Sequence, residues 1–88
     1  METAHTRADW RAILRRWLSD KPSGYVFRSA DVYRWAKTAS FLTHADLETH
    51  HRSGRPMWRV NLSNAISDLH HAGDLIHPGC SHLAWMVP

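Results

Sequence analysis

Hydrophobic residues recur with the period of an amphipathic α-helix in two stretches of the chain. The first stretch predicts a helix over residues 7–19, where Thr6 and Asp9 occupy the positions of a capping box. The second predicts a helix over residues 57–72, and Gly73 suits the left-handed position just after its end. The apolar stripes are Trp10, Ile13, Leu14, Trp17 and Leu18 in the first helix and Trp58, Leu62, Ala65, Ile66 and Leu69 in the second. We expect both stripes to be buried.

The residues between these two helices predict shorter elements. Residues 25–28 form a brief β-favouring run, long enough for one edge strand. A helix is predicted over residues 30–38, with Ser29 as its N-cap. Its buried positions are expected to be Val32, Trp35 and Ala36. Residues 43–51 are interpreted as a loop with one or two helical turns, capped by Thr43.

The end of the chain predicts a β-hairpin over residues 75–87. Two β-favouring runs, 74–77 and 82–87, flank a Pro-Gly turn. The order of elements is then helix, short strand, helix, extra turn, helix and hairpin. This is the order of a winged helix-turn-helix, a mainly α domain with a small β-hairpin wing, here spanning residues 1–88. In that fold the helix over 57–72 is the recognition helix, which enters a DNA major groove while the wing contacts the backbone.

Composition adds the setting of the domain. A chain of 88 residues allows one compact domain, and 43% hydrophobic residues argue against wholesale disorder. The single Cys excludes a disulfide framework and favours a reducing, cytoplasmic location. No apolar run approaches the roughly 20 residues of a membrane helix. The net charge of +3 and the eight His favour an acidic partner such as DNA.

The exposed face of the recognition helix carries the candidate base contacts. A helical projection places Val60, Asn64, Ser67 and His71 opposite the apolar stripe, with Arg59 and Ser63 beside them. Arg59 can bond guanine O6 and N7, and Asn64 can bond adenine N6 and N7. Val60 offers an apolar surface to a base methyl group, and Ser63 can reach base or phosphate. The alternative is a solvated helix face, since such residues are common on any surface.

Residues on either side of this helix are candidates for phosphate contacts. Arg52 and Arg55 precede it, where its backbone N–H groups also attract anions. At the tip of the wing, His77, Ser81 and His82 can donate to phosphate oxygens. A different role is expected for the outer arginines of the first helix, which we interpret as a solvated face. These are Arg11, Arg15 and Arg16.

The five Trp divide between core and contact roles. Trp10, Trp17 and Trp85 are expected to pack inside the domain. Trp58 belongs to the apolar stripe, but at the start of the recognition helix it is also a candidate DNA contact. Trp35 is open to two interpretations, burial in the core or stacking on an unpaired base.

Metal binding and catalysis are not indicated. The residues 77–82 contain His and Cys but lack the paired spacing of a structural zinc site, even with His50, His51, His70 and His71 as extra donors. The carboxylates are scattered, and no Gly-rich phosphate loop accompanies them. We therefore expect no cofactor and no metal, and a binding module rather than an enzyme. Any nuclease activity is expected in a separate or fused domain.

Three segments together resemble a known family. They are Trp10 with Leu14, the run over residues 27–33 that reads F-x-x-x-D-V-Y, and residues 58–75 around the recognition helix. This pattern resembles the winged-helix domain of Dam-replacing-type restriction endonucleases. Related modules are fused to nucleases in modification-dependent (type IV) restriction systems.

The resemblance implies a reader of methylated DNA. Its relatives bind double-stranded DNA and can prefer N6-methyladenine in a GATC-like context. The positions carried over are Arg59, Leu62, Ile66, Leu69 and Gly73. The chain departs from the family at a Gln-rich run, here residues 63–65, and at a basic wing tip, here residues 78–81. Val60, together with a Trp side chain, would enclose the methyl group that N6-methylation adds to adenine.

Two other functions remain open at this point. One is a transcription regulator of the same fold that binds an unmodified operator. The other is a winged helix that binds a protein through exposed Trp side chains. Duplex binding that is lost at physiological salt would favour the protein partner.

Overall fold

The computed structural model describes residues 3–39, 42–50, 52–79 and 84–88. The described chain is mainly helical with one small antiparallel sheet, which confirms this part of the predicted fold class. The elements in chain order are α1 (Arg7–Leu18), β1 (Val26–Arg28), α2 (Ser29–Thr38), α3 (His44–Leu47), α4 (Met57–His71) and β2 (Ala84–Met86). In these ranges, no helix combines the length and the apolar character needed to cross a membrane.

Helices α1 and α3 both begin at the capping boxes formed by Thr and Asp. At α1, the Thr6 hydroxyl accepts from the Asp9 backbone N–H at 3.1 Å, and the Asp9 carboxylate accepts from the Thr6 N–H at 2.8 Å. The Thr43 hydroxyl and Asp46 repeat this exchange at α3, at 3.2 and 2.9 Å. Because these contacts are local, the sequence predicted both helix starts.

Ser29 is not the N-cap of α2, contrary to the sequence prediction. The helix includes Ser29 and begins after Arg28, whose backbone N–H donates to the Asp31 carboxylate at 2.9 Å. The Ser29 hydroxyl instead accepts from the indole Nε1 of Trp85 at 3.0 Å. A tertiary contact to β2 thus takes the oxygen that would otherwise cap the helix.

The sheet pairs β1 with β2 in antiparallel register. Phe27 lies opposite Trp85, and the isolated pair of Ile76 with Met86 continues the pairing on the other side of β2 through hydrogen bonds of 3.0 and 2.7 Å. The two runs of the predicted hairpin over 75–87 thus pair at Ile76 and Met86, but β2 also pairs over three residues with β1, which the sequence analysis did not predict. Burial explains the choice, since Phe27 is 2% exposed and anchors β1 to the core.

The core lies between α1 and α4 and is closed by the sheet. Its buried residues are Trp10, Leu14, Phe27, Val32, Ala36, Trp58, Leu62, Ala65, Ile66, Leu69 and Leu75. The predicted stripe of α4 is buried in full, whereas Ile13, Trp17 and Leu18 of α1 are only partly buried. Trp10 and Trp58 meet at the centre with ring centroids 6.4 Å apart.

Ion pairs hold α1 to α4 beside this core. The Arg7 guanidinium donates to both carboxylate oxygens of Asp68, and Arg11 donates to the same group at 2.9 Å. These bonds, those from Arg7 first, hold the pKa of Asp68 far below its usual range. Arg15 reaches the Asp74 carboxylate at 3.1 Å. The predicted solvated face of α1 is confirmed for Arg15 and Arg16, which are exposed, whereas Arg11 is half-buried and connects α1 to α4.

Candidate functional site

Helix α4 is bordered by other elements on both flanks. One flank faces α1 through the ion pairs at Asp68 and a 3.0 Å hydrogen bond from Asn61 Nδ2 to the His5 carbonyl. On the opposite flank, the Arg59 guanidinium lies 4.7 Å from the centre of the Tyr33 ring of α2. Further along that flank, the His70 ring contacts the Trp85 ring of β2. The side of α4 between these two flanks, with Arg59 at its edge, carries exposed and half-buried residues.

This side of α4 coincides with the face predicted from the helical projection. We call it the outer face of α4, and it comprises Arg59, Val60, Ser63, Asn64, Ser67 and His71. Arg59, Asn64 and His71 are exposed, whereas the other three are half-buried. The outer face presents a guanidinium, an amide, an imidazole and two hydroxyl groups around one isopropyl group. Such a face can donate and accept hydrogen bonds and also enclose a methyl group.

Trp58, which the sequence also offered as a DNA contact, does not belong to the outer face. Its side chain is 4% exposed and packs edge-on against Tyr33, with ring centroids 6.1 Å apart. The reason is its spacing, because Trp58 shares the inward side of α4 with Leu62 and Ala65. The expectation that it packs in the core is confirmed.

The loop before α4 carries Arg52 and Arg55, both exposed. The His50 backbone N–H donates to the Arg55 carbonyl at 2.7 Å, and the Gly54 N–H donates back to the His50 carbonyl at 2.8 Å. Gly54 has φ of 70°, a conformation that side chains with a Cβ rarely adopt. This tight turn directly precedes the first turn of α4, where phosphate was predicted to bind.

The predicted wing residues are only partly described. His77 is half-buried. Its Nδ1 donates to the Ala84 carbonyl at 3.0 Å, and its ring stacks on that of Trp85 with the ring centroids 4.5 Å apart. The Nδ1 of His77 is thus used within the fold rather than offered to a phosphate. Ser81 and His82, the other two predicted donors, lie outside the described residues.

Residues 77–82, which the sequence analysis considered as metal ligands, are also only partly described. Within the ranges that the structure describes, no three His, Cys, Asp or Glu side chains form a group able to hold a metal ion. Cys80 and His82 fall outside those ranges. His70 and His77 lie side by side with ring centroids 4.8 Å apart, and the Nδ1 of His70 donates to the Leu75 carbonyl at 3.0 Å.

A groove between α2 and the start of α4 was missed by the sequence analysis. We call it the α2–α4 groove, and its volume is about 530 Å³. Its lining residues are Ala30, Tyr33, Arg34, Lys37, Leu47, Pro56, Trp58 and Arg59. A signal was present, because residues 30, 33, 34 and 37 share one face of α2. The groove borders the outer face of α4, since Arg59 belongs to both.

A second groove of about 380 Å³ lies between α1 and α2. It is lined by His5, Ile13, Arg16, Trp17 and Trp35. Trp35 is half-buried there, with its ring centroid 5.7 Å from that of Trp17. Of the two interpretations of Trp35, packing against the core is confirmed.

Comparison of the chain with protein-family models, with curated proteins and with solved structures finds no match.

Proposed function

We propose that this domain is a winged helix-turn-helix module that binds double-stranded DNA, with α4 as its recognition helix in the major groove. The observation that carries the proposal is the outer face of α4, which is polar, cationic at Arg59 and exposed at Arg59, Asn64 and His71. With its side chains an α-helix is about 10–12 Å across, so the 15 residues of α4 form a rod that a major groove about 12 Å wide can accept.

The elements around α4 support the same proposal. The order of helices and strands follows the winged helix, and Ile76 pairs with the far side of β2 as the first strand of a wing would. Arg52 and Arg55 bring two cations to the N-terminal end of α4, where the backbone N–H groups also favour phosphate. Phosphate contacts there would fix the position of α4 in the groove while the outer face contacts the bases.

We further propose that the module reads N6-methyladenine and works with a restriction-type nuclease in a separate or fused domain. This step rests on the resemblance to Dam-replacing-type endonucleases and on Val60, the apolar member of the outer face. Burial of one methyl group contributes only about 1 kcal/mol. Strong discrimination would also need a fit that leaves an unfilled space when the methyl group is missing.

Binding to three matched duplexes tests the proposal. The duplexes carry a GATC site that is unmethylated, hemimethylated or fully methylated at adenine, and the salt concentration is near physiological. We expect at least a tenfold preference for the fully methylated duplex, which equals about 1.4 kcal/mol. Equal binding to all three would contradict methyl reading and favour a regulator of an unmodified operator. No binding to any duplex would contradict the DNA-binding proposal and favour a protein partner.

Arg59→Ala tests the assignment of the outer face. Loss of a guanidinium that bonds a guanine edge is expected to weaken duplex binding by about 1–3 kcal/mol, roughly 5- to 150-fold. Arg16→Ala is the matched control, because it removes the same charge from an exposed position on α1. Titrations of both variants at several salt concentrations provide the measurement. If Arg59→Ala and Arg16→Ala bind every duplex equally well, α4 is not the recognition helix.

A further inference from the structure

The α2–α4 groove has both apolar walls and cationic side chains, which suit the apolar base and the anionic phosphate of a nucleotide. Its walls include Leu47 and Pro56, and Leu47 is 55% exposed, one of two large hydrophobic side chains so exposed among the described residues. Its cations are Arg34, Lys37 and Arg59, and none of its eight described lining residues is acidic. A base has an apolar planar face, and a phosphate lies on each side of it along a strand.

The cations of the groove are available to an anion. The nearest carboxylate recorded for Arg34 is Asp31 at 3.8 Å, and the two side chains are 76% and 49% exposed. Because both side chains are exposed and the nitrogen–oxygen distance is long, this ion pair holds Arg34 only weakly. Arg59 lies over the Tyr33 ring rather than beside a carboxylate. A guanidinium held against an aromatic ring offers its own outer face to an unpaired base, as in single-stranded nucleic-acid sites.

The position of the groove connects it with the outer face of α4. Arg59 belongs to both, so a DNA strand that lies along the outer face passes the mouth of the groove. The groove volume of about 530 Å³ lies within the range of small-molecule sites, about 300–1,000 Å³. A mononucleotide of the bound strand therefore has both a route into the groove and room within it.

We propose that the α2–α4 groove receives one nucleotide displaced from the duplex stack, with its base against Leu47 and Tyr33 and its phosphates at Arg34 and Lys37. The proposal rests on the duplex binding proposed above and adds the site where a base is read. An acidic amphipathic peptide would match the same charges, but it has no connection with the outer face.

An unpaired adenine makes the test direct, because such a base enters the groove without the cost of breaking a base pair. Two duplexes of equal length are compared, one fully paired and one with a single unpaired adenine. We expect the wild-type domain to bind the second roughly fivefold more tightly or better. The readout is the ratio of the two affinities, which a general loss of charge or stability does not change.

Substitutions in the groove should remove this preference. In Leu47→Ser the apolar wall is lost at an exposed position, so the fold should persist and the ratio should approach one. Val26→Ser is the matched control, because Val26 is the other exposed large hydrophobic residue, at 49%, and lies outside the groove. It should keep the wild-type ratio. A second test, Arg34→Gln with Lys37→Gln, changes only exposed side chains and should also lower the ratio.

The outcomes separate the two proposals. If the wild-type domain binds both duplexes equally, the nucleotide site is refuted while duplex binding stands. A ratio that is the same in wild type, Leu47→Ser and the double variant also refutes the nucleotide site, and an acidic peptide is then the better fit to the groove. If neither duplex is bound, the proposed function fails and the nucleotide site fails with it.

Discussion

Replacement of Trp10 by alanine is expected to lower the free energy of unfolding by about 3–5 kcal/mol. The Trp10 side chain is fully buried and contacts rings from two other parts of the chain, His5 at 5.2 Å and Trp58 at 6.4 Å between centroids. Its removal takes away a large apolar surface and leaves a cavity that the packed surroundings can fill only partly. Since native domains are stable by only about 5–15 kcal/mol, this loss removes a large fraction of the total stability.

Urea denaturation followed by circular dichroism measures this effect. Val26→Ala is the control, because a side chain that is 49% exposed should change the free energy of unfolding by less than about 0.5 kcal/mol. The melting temperature of Trp10→Ala should fall by tens of degrees, at about 4–8 °C per kcal/mol for a domain of this size. A loss below about 1 kcal/mol would mean that Trp10 does not organise the core.

The two long helices were predictable because their pattern is local. The prediction of 7–19 became Arg7–Leu18, and that of 57–72 became Met57–His71. Each amphipathic stripe fixes which side of its helix is buried, without information from the rest of the chain. Gly73, with φ of 85°, ends α4 as predicted, because the left-handed conformation there favours a residue without Cβ.

The pairing of the strands was not predictable in the same way. A strand of three residues carries no information about its partner, and the sequence offered a nearby Pro-Gly turn. The pairing of β1 with β2 depends instead on burial of Phe27 and on the Ser29 hydroxyl that accepts from Trp85, 56 residues away. Contacts between residues so far apart in the sequence depend on how the helices pack, which the local pattern does not give.

The same distinction separates the predicted and missed parts of the candidate site. The outer face of α4 follows from one helix, so a projection of the sequence found it. The α2–α4 groove needs the relative placement of α2, α3 and α4, which no local pattern gives. Tyr33, Arg34 and Lys37 were therefore absent from the predicted site, although their spacing on α2 was visible.

Asp46 is the polar contact with the largest expected effect on the fold. Its carboxylate is fully buried and accepts from the His5 backbone N–H and ring Nδ1, both at 2.6 Å, and from the Thr43 N–H at 2.9 Å. The Thr43 hydroxyl also donates to the Thr3 carbonyl at 3.1 Å. These bonds join the chain before α1 to the start of α3, 41 residues away.

Replacement of Asp46 by alanine should therefore lower the free energy of unfolding by at least about 1–3 kcal/mol, the range for leaving a buried hydrogen-bonding group without its partner. Urea denaturation at pH 6 measures the loss. Asp9→Ala is the matched control, because Asp9 occupies the same capping-box position on α1 but is exposed. The control should lose less stability, since its removal leaves no buried donor without a partner. Equal losses in the two variants would show that Asp46 acts only as a helix cap.

Acid should weaken the same contact. Burial acts to raise the pKa of Asp46, but the hydrogen bonds from Thr43 and His5 outweigh it, so the pKa lies below its usual value. The charged carboxylate is therefore favoured in the folded state. Its contribution is complete above the unfolded value of about 3.9 and is lost as the pH falls through the folded value. Between pH 6 and pH 3, wild type should lose more stability than Asp46→Asn, in which no proton can bind at this position. Equal losses would mean that other carboxylates account for the acid sensitivity of the domain.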